Sequence, residues 1–319
     1  MQKRHGKMKL GKAPRIAFGE ELLALARKNR DIVALDGDLS KSTMTCLIEE
    51  AFPERYFEMS IAEANMVATA AGMALQGKIP FVNSFAVFIT GRAFDQVRQS
   101  VAYPGANVKI CGSSSGFSDF GDGATHQSVE DMALMRCLPN MIVLSPADEI
   151  ETREMVRFMV DHKGPVYIRL DRNETPLILD EDYRFQLGEP TVIRRGKDVT
   201  VFATGQMVAL ALDAADLLSP GNLSLEVVNA GTIKPLNEET VRALAGKTGA
   251  VVTAEEHTLR GGLGSAVAEA LMKTKIPIVP VGVQDRFGQS AAGYQELLQA
   301  YGLTAGAIAA AVREASGLK

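Results

Sequence analysis

Short apolar runs alternate with longer helical stretches along the whole chain, and this alternation constrains the fold more than any other feature. Several of the runs are almost continuously apolar, as expected for strands that are buried on both faces. The candidate strands are Ile32–Leu35, Val108–Cys111, Met141–Leu144, Val166–Arg169, Val199–Ala203, Leu225–Val228, Val251–Thr253 and Ile278–Val283. The candidate helices between them are Ala17–Arg30, Ile61–Gln76, Arg92–Ala102, Glu149–Asp161, Met207–Leu218, Asn237–Ala245, Leu263–Lys273, Ala292–Tyr301 and Thr304–Ala315. This pattern predicts an α/β fold with three-layer domains and mostly parallel sheets.

A break in composition at residues 174–198 divides the pattern. Prolines and acidic residues are mixed from Glu174 to Arg184, and Gly188-Glu189-Pro190 precedes a new strand–helix series. Such stretches are typical of domain boundaries, and 319 residues are enough for two domains. We therefore predict one domain at residues 13–178 and a second at residues 190–319.

Composition excludes several classes of partner. The 34 basic and 38 acidic residues give a net charge of −4, so no basic excess indicates nucleic acid or an anionic membrane. No apolar run reaches the roughly 18 residues of a membrane-spanning helix. The chain has three cysteines that are far apart in the sequence, Cys46, Cys111 and Cys137. This number and spacing argue against a set of disulfides and favour a reducing compartment. We expect a cytoplasmic protein without a nucleic-acid or membrane partner, preceded by a partly disordered arm at Met1–Lys12.

The segment Ser60-Ile61-Ala62-Glu63 has the spacing of a capping box, in which the glutamate reaches back to the N–H of the cap residue. The helix that follows, Ala64 to Leu75, is small and apolar almost all round, which is typical of a buried helix. A carboxyl group at its buried end would be desolvated. Glu63 is therefore also a candidate for handling a proton.

The loop Gly121 to Gln127 places Asp122 between two glycines and His126 shortly after them. A turn is the simpler interpretation, and a flexible loop that presents both side chains to a polar ligand is the functional one. The histidines lack the spacings typical of zinc sites, so we predict no metal site in the chain.

Aromatic and basic side chains supply further candidates. Phe85 and Phe88 could belong to the core or form a wall on which a flat heterocycle stacks. Most arginines are solvated surface residues, but a guanidinium group is well suited to binding a phosphate monoester. The arginines considered for that role are Arg15, Arg92, Arg169 and Arg172.

Taken in order, these segments resemble the second half of transketolase. The resemblance covers residues 13–316 and is carried by Asp36-Gly37-Asp38, Ile61 to Val67, Phe85 to Phe88 with Arg92 to Arg98, Gly121 to Gln127, Thr232 to Leu236, and Glu255-Glu256-His257 with Gly261-Gly262. It implies a pyrimidine-binding domain followed by a transketolase C-terminal domain. The diphosphate-binding half is missing from the match, and Asn140 comes too soon after Gly-Asp-Gly to complete a metal-binding motif.

The resemblance therefore implies the C-terminal subunit of a two-chain transketolase. It implies thiamine diphosphate as cofactor, an N-terminal subunit that carries Mg²⁺ or Ca²⁺ and the diphosphate, and an α2β2 assembly. The reaction would transfer a two-carbon ketol unit between sugar phosphates.

The resemblance also implies roles for the residues around the cofactor. Glu63 corresponds to the catalytic glutamate that binds the aminopyrimidine ring and favours its imino tautomer, which removes a proton from the thiazolium carbon. Phe85 and Phe88 correspond to the aromatic residues that pack against the pyrimidine. Asp38 corresponds to an acid near the cofactor, and Arg92 completes the cofactor-binding set.

The substrate residues follow from the same resemblance. Asp122 corresponds to the acid that recognises a sugar hydroxyl. His126, Arg15, Ser42 and Arg172 correspond to residues that hold the sugar phosphate at the mouth of the pocket.

Three alternatives stay open. A β subunit of a 2-oxo acid dehydrogenase E1 component has a similar length and two-domain plan, but Ile61–Val67 and Gly121–Gln127 favour transketolase. Half of a deoxyxylulose-phosphate synthase would have a similar loop, and Asn65-Met66-Val67 argues against it. A non-catalytic regulatory paralogue would have little reason to keep Glu63 together with the loop residues.

Overall fold

Two sheets with helices on both faces form the framework of the chain, which a computed structural model describes for residues 8–319. In chain order the strands are β1 (Ile32–Asp36), β2 (Tyr56–Glu58), β3 (Ile79–Phe85), β4 (Lys109–Ser113), β5 (Ile142–Leu144), β6 (Val166–Arg169), β7 (Thr191–Arg194), β8 (Val199–Ala203), β9 (Leu225–Asn229), β10 (Thr232–Lys234), β11 (Val251–Thr258) and β12 (Ile278–Val283). The helices are α1 (Pro14–Ala26), α2 (Ser40–Thr43), α3 (Cys46–Ala51), α4 (Glu63–Leu75), α5 (Ala86–Gly91), α6 (Phe94–Gln96), α7 (Asp131–Arg136), α8 (Glu149–Asp161), α9 (Met207–Leu218), α10 (Glu238–Thr248), α11 (Leu263–Leu271), α12 (Tyr294–Ala300) and α13 (Ala305–Gly317). A π-helical stretch, Val97–Ala102, follows α6.

The predicted α/β fold with mostly parallel sheets is confirmed. The first sheet has the order β10-β5-β6-β4-β3-β1-β2 and the second the order β12-β11-β8-β9-β7. All described pairings are parallel except those of β10 with β5 and of β7 with β9. Within residues 8–319, no helix has the length and apolar composition needed to cross a bilayer.

Strand β1 shows why the first sheet is covered on both faces. Val33 and Leu35 belong to the apolar cluster on one face, together with residues of α4. Ile32 and Ala34 point to the other face and pack in the cluster that contains residues of α1 and α8. Because successive side chains of a strand alternate between faces, a continuously apolar strand needs helices on both.

The two sheets are joined by structure as well as by chain. One apolar cluster contains Leu35 of β1 and Val251 of β11. In addition, the chain passes from β9 in the second sheet to β10 in the first sheet. There β10 pairs with β5, with Thr232 opposite Leu144. The division into residues 13–178 and 190–319 stays a prediction. Strand β10 belongs to the second range but pairs in the sheet of the first.

The predicted arm at Met1–Lys12 lies partly outside the described residues, which begin at residue 8. Where the structure describes it, the backbone N–H of Gly11 donates to the carbonyl of Thr175 at 2.8 Å. The N–H of Leu177 donates to the carbonyl of Lys9 at 2.9 Å. This described end of the arm is therefore held by backbone hydrogen bonds to the segment after β6.

Candidate active site

The predicted site residues gather at the carboxyl ends of the strands in the first sheet. Asp38 follows β1, Phe85 ends β3, and Arg172 follows β6. Parallel strands end at the same edge of a sheet, and in open α/β sheets ligands bind in the crevice outside that edge. The topology thus brings together side chains that are far apart in the sequence.

Glu63 is the first residue of α4, and its side chain is only 2% exposed. The predicted capping box does not form: the N-cap residue is Ala62, and no side chain caps the helix. Ser60 instead adopts a left-handed backbone with φ of 55°, and its N–H donates to Glu58 Oε1 at 2.7 Å. Glu63 is therefore free of the capping role and turns its carboxylate toward α5 and β3.

Arg92 is the main partner of Glu63. Its Nη1 lies 3.1 Å from one carboxylate oxygen of Glu63 and 3.2 Å from the other. The guanidinium also lies over the ring of Phe88, 4.3 Å from its centre, and the Arg92 side chain is 50% exposed. The buried carboxylate of Glu63 is thus paired with the half-exposed guanidinium of Arg92, which lies against the face of the Phe88 ring.

Phe85, Phe88 and His126 form one aromatic cluster. The two phenyl rings are stacked at 6.0 Å with an interplanar angle of 17°. The imidazole of His126 meets Phe88 edge-on at 5.2 Å and Phe85 at 6.2 Å. The structure therefore brings together Glu63, Phe85, Phe88, Arg92 and His126.

A second cluster contains Arg15, Ser42 and Arg172. Arg15 Nη1 donates to the backbone carbonyl of Ser42 at 2.8 Å. Burial lowers the pKa of the Arg15 guanidinium and the charge of Arg172 lowers it further, whereas Asp119 raises it. Two guanidinium groups close enough to repel each other form a site of positive charge that attracts an anion.

Asp119 links the two clusters and was not identified from the sequence. It accepts a hydrogen bond from Arg172 Nη1 at 2.8 Å, and its side chain is 5% exposed. Burial raises the pKa of its carboxyl, Arg172 and His126 lower it, and Asp122 raises it. The only sequence signal is its position just before the glycine-rich loop, which does not distinguish it from other loop acids.

Asp38 and Asp122 are both exposed, in contrast to the buried Glu63 of the first cluster. Asp38 has a left-handed backbone with φ of 66°, and its N–H donates to Glu58 Oε1 at 3.0 Å. Asp122 lies at the tip of its loop, near enough to affect the pKa of Asp119.

Asp36, at the end of β1, holds the turn that carries Asp38 and Ser42. Its carboxylate accepts from Thr43 Oγ1 at 2.6 Å, Thr45 Oγ1 at 2.8 Å and Leu39 N at 2.6 Å. Burial nevertheless raises its pKa to about 6. A fully buried carboxyl with three donors fixes the short helix α2 at the edge of the site.

Arg169 does not lie where a phosphate could reach it. Its side chain is 6% exposed and its Nε donates to Asp131 Oδ2 at 2.9 Å. Its Nη2 donates to the carbonyls of Ser128 and Glu256 at 3.3 and 2.8 Å. Considering Arg169 as a phosphate ligand was wrong, because its donors are taken up by Asp131 and Ser128 in the first domain and by Glu256 in the second.

Comparison with known proteins identifies the family. The family described as "Transketolase, pyrimidine binding domain" matches residues 11–177, and "Transketolase, C-terminal domain" matches residues 188–308. A putative transketolase C-terminal section of Methanocaldococcus jannaschii is 41% identical, over 95% of this chain and 96% of that protein. A 6-deoxy-6-sulfo-D-fructose transketolase subunit of Clostridium sp. is 44% identical, over 96% of this chain and 95% of that one.

A solved structure agrees with these relatives. It is described as a split gene transketolase, inactive β4 tetramer, and it has a TM-score of 0.90 and 49% identity, covering 97% of this chain and 100% of that one. The match therefore extends over the fold as well as the sequence. The chain belongs to the transketolase family and corresponds to its C-terminal section.

Proposed function

We propose that the chain is the C-terminal subunit of a two-chain, thiamine-diphosphate-dependent transketolase, active in the cytoplasm with a separate N-terminal subunit. Together they would transfer a two-carbon ketol unit from a ketose phosphate to an aldose phosphate. The observation that carries the proposal is the contact of Glu63 with Arg92 beside the stacked rings of Phe85 and Phe88.

The residues of the first cluster fit the pyrimidine end of thiamine diphosphate. A flat heteroaromatic ring needs an apolar face for stacking, which Phe85 and Phe88 provide, and a carboxyl group that can bond its ring nitrogen, which Glu63 provides. When bound, the cofactor supplies the carbanion chemistry that breaks and forms the carbon–carbon bond. The proposal places the diphosphate and its Mg²⁺ or Ca²⁺ on the N-terminal subunit.

Glu63 and Arg92 have distinct tasks in this proposal. Glu63, buried at the start of α4, forms a hydrogen bond to the ring nitrogen. Its carboxylate oxygens exchange a proton with that nitrogen. Arg92 balances the charge of Glu63 and is exposed enough to withdraw when a ring stacks on Phe88. His126 borders the aromatic wall on the side of the substrate.

The second cluster would hold the anionic end of the sugar. Arg15 and Arg172 offer two guanidinium groups, and Asp119 orients Arg172 through a 2.8 Å ion pair. Asp122, at the exposed tip of its loop, would accept a sugar hydroxyl. Guanidinium groups bind phosphate and sulfonate alike, so a sulfonated ketose, as named for the Clostridium relative, belongs in the substrate panel.

The requirement for a partner can be tested directly. The chain is assayed alone and together with its N-terminal subunit, in otherwise identical mixtures. Each mixture contains thiamine diphosphate, Mg²⁺, a pentulose phosphate or 6-deoxy-6-sulfofructose as donor, and an aldopentose phosphate as acceptor. We expect ketol transfer only from the pair, which should assemble as α2β2. The solved relative that is described as an inactive β4 tetramer supports this expectation. Turnover by the isolated chain would overturn it.

Substitution of Glu63 tests the site within the assembled pair. Glu63→Gln keeps the shape of the side chain but removes its ability to carry a proton, so turnover should fall by about 10²–10⁴-fold, the range for general acid–base groups. Glu49→Gln, an exposed glutamate on α3, is the matched control and should leave turnover unchanged. Near-normal turnover of Glu63→Gln would reject its role, provided that calorimetry shows cofactor binding by the pair.

A further inference from the structure

Two segments without regular secondary structure meet beside the candidate active site. The Gly-Asp-Gly loop (residues 119–127) carries Asp122 and His126. The C-terminal strap (residues 284–293) connects β12 to α12 in the second domain. Neither segment belongs to a strand or a regular helix, so contacts with other parts of the molecule contribute to holding its backbone in place.

Gln127 is the principal link between the two segments. It is 3% exposed, and its Nε2 donates to the carbonyl of Asp119 at 3.2 Å and to the carbonyl of Gln289 at 2.9 Å. Because both partners are carbonyl acceptors, only the amide nitrogen can face them, which determines the orientation of the side chain. One amide group therefore ties the end of the loop to its beginning and fastens both to the strap.

Further contacts seat the loop on the strap. The N–H of Ala291 donates to the carbonyl of Phe120 at 3.0 Å. Gly123 has φ of 79°, and a Cβ atom there would lie 2.5 Å from Ser290 Oγ, so the loop backbone passes directly over the strap. The loop thus contacts three successive residues of the strap, Gln289, Ser290 and Ala291.

The ends of both segments are anchored by aromatic packing. Phe117, just before the loop, packs on Tyr301 with ring centres 4.3 Å apart. The hydroxyl of Tyr301 donates to the carbonyl of Phe287 in the strap at 2.7 Å. The strap is therefore held against the end of α12 in the second domain.

We propose that Gln127 is a positioning residue through which the second domain holds the Gly-Asp-Gly loop in its substrate-binding conformation. The loop end beside Gln127 carries His126, whose ring lies 5.2 Å from that of Phe88, and its beginning carries Asp119, which orients Arg172. The inference rests on the proposed function, because it assigns the second domain a part in binding the same sugar. Loss of the Gln127 contacts would release the substrate side of the pocket and leave the Glu63 side in place.

The test compares Gln127→Leu with wild type in the assembled two-chain enzyme, using the pentulose phosphate donor. The leucine fills a similar volume but donates no hydrogen bond. Loss of the two hydrogen bonds predicts a roughly tenfold rise in KM. We expect kcat to change less than about threefold, since transition-state contacts at the cofactor stay in place.

Hydrogen exchange supplies a second readout that does not depend on activity. In the full chain without its partner, Gln127→Leu should lower the protection of the amides of residues 119–127 by about tenfold, because local opening has become easier by the same free energy. Protection in α4 should stay as in wild type. Gln289→Ala is the matched control, because its backbone carbonyl still accepts from Gln127.

A second variant, in the strap, tests the inference independently if Gln127→Leu does not fold. A Cβ atom on Gly288 would lie 1.8 Å from Gln127 Oε1, so Gly288→Ala displaces the same amide from the opposite segment and should reproduce both effects. Unchanged exchange in both variants overturns the inference, and so does looser exchange with an unchanged KM. If the wild-type pair shows no ketol transfer, the proposed function fails, and the exchange result alone decides whether Gln127 holds the loop.

Discussion

At the scale of single residues, Asp131 and Arg169 form an ion pair that is buried on both sides. Asp131 is fully buried and accepts from Arg169 Nε at 2.9 Å and from Tyr167 Oη at 2.6 Å. Burial lowers the pKa of Arg169, but Asp131 and Glu256 raise it more, so that it lies above its usual value. Such a pair is costly to break because the remaining charge has no water around it.

Arg169→Met should therefore destabilise the chain by about 3–5 kcal/mol, the range for removing one partner of a buried ion pair. Arg194→Met removes an exposed pair with Asp216, whose side chain is 62% exposed, and serves as the matched control. That change should cost about 0–1 kcal/mol. Urea unfolding followed by circular dichroism measures both, and equal losses would contradict the assignment of Asp131 and Arg169 as a buried pair.

At the scale of elements, the turn between β9 and β10 brings the backbone into close contact with α8. A Cβ atom on Gly231 would lie 2.3 Å from Glu151 Oε1 and 2.9 Å from Met155 Cε. The carbonyl of Gly231 also accepts from the N–H of Ser145 at 2.8 Å, just after β5. The absence of a side chain at Gly231 is what allows β10 to reach the edge of the first sheet.

Gly231→Ala should destabilise the chain by about 1–3 kcal/mol through overpacking. Gly246→Ala makes the same chemical change inside α10, where nothing lies within 4 Å of the new Cβ atom. There the higher helix propensity of alanine should stabilise by up to about 1 kcal/mol. Thermal unfolding of both variants should thus shift the midpoint in opposite directions. A shift in the same direction would show that the turn is not tightly packed.

At the scale of the whole molecule, Glu151 joins the two domains with a buried carboxyl. Asn229 Nδ2 lies 2.9 Å from each of its oxygens, Tyr183 Oη donates to it at 3.0 Å, and Ala147 N donates at 2.7 Å. Burial raises its pKa from 4.5 to about 7, although these donors lower it. The folded state therefore binds the proton of Glu151 more tightly than the unfolded chain does.

The sign of the pH effect follows from that difference. The contribution of Glu151 to stability is fully present below pH 4.5 and is lost as the pH rises through about 7. Glu151→Gln cannot ionise, so its free energy of unfolding should fall less steeply than that of wild type across this window. Urea titrations at a series of pH values measure both slopes. Glu238→Gln, which alters an exposed pair with Arg242, should keep the wild-type slope, and a Glu151→Gln slope equal to wild type would refute the linkage.

Prediction from the sequence worked best where the pattern is local and apolar. Val166–Arg169 and Val199–Ala203 were predicted with the bounds that the structure has. Strand β3, which lies between β4 and β1 in the first sheet, was missed because Pro80, Asn83 and Ser84 interrupt its apolar run. Asn83 is tolerated there because its Nδ2 donates to the carbonyls of Phe81 and Leu35 at 2.9 and 3.3 Å, which only the folded sheet supplies.

The amino-acid sequence by itself determined the α/β class, the family and the identity of Glu63 as a candidate, because short-range periodicity and ordered motifs are properties of the chain. The tertiary structure alone decided that Arg92 is the partner of Glu63, that Asp119 orients Arg172, and that β10 joins the first sheet. It also decided that Gln127 reaches the carbonyl of Gln289, 162 positions further along the chain. These contacts form because burial of apolar faces brings distant segments together, and most buried polar groups then bond to a partner that the fold places beside them.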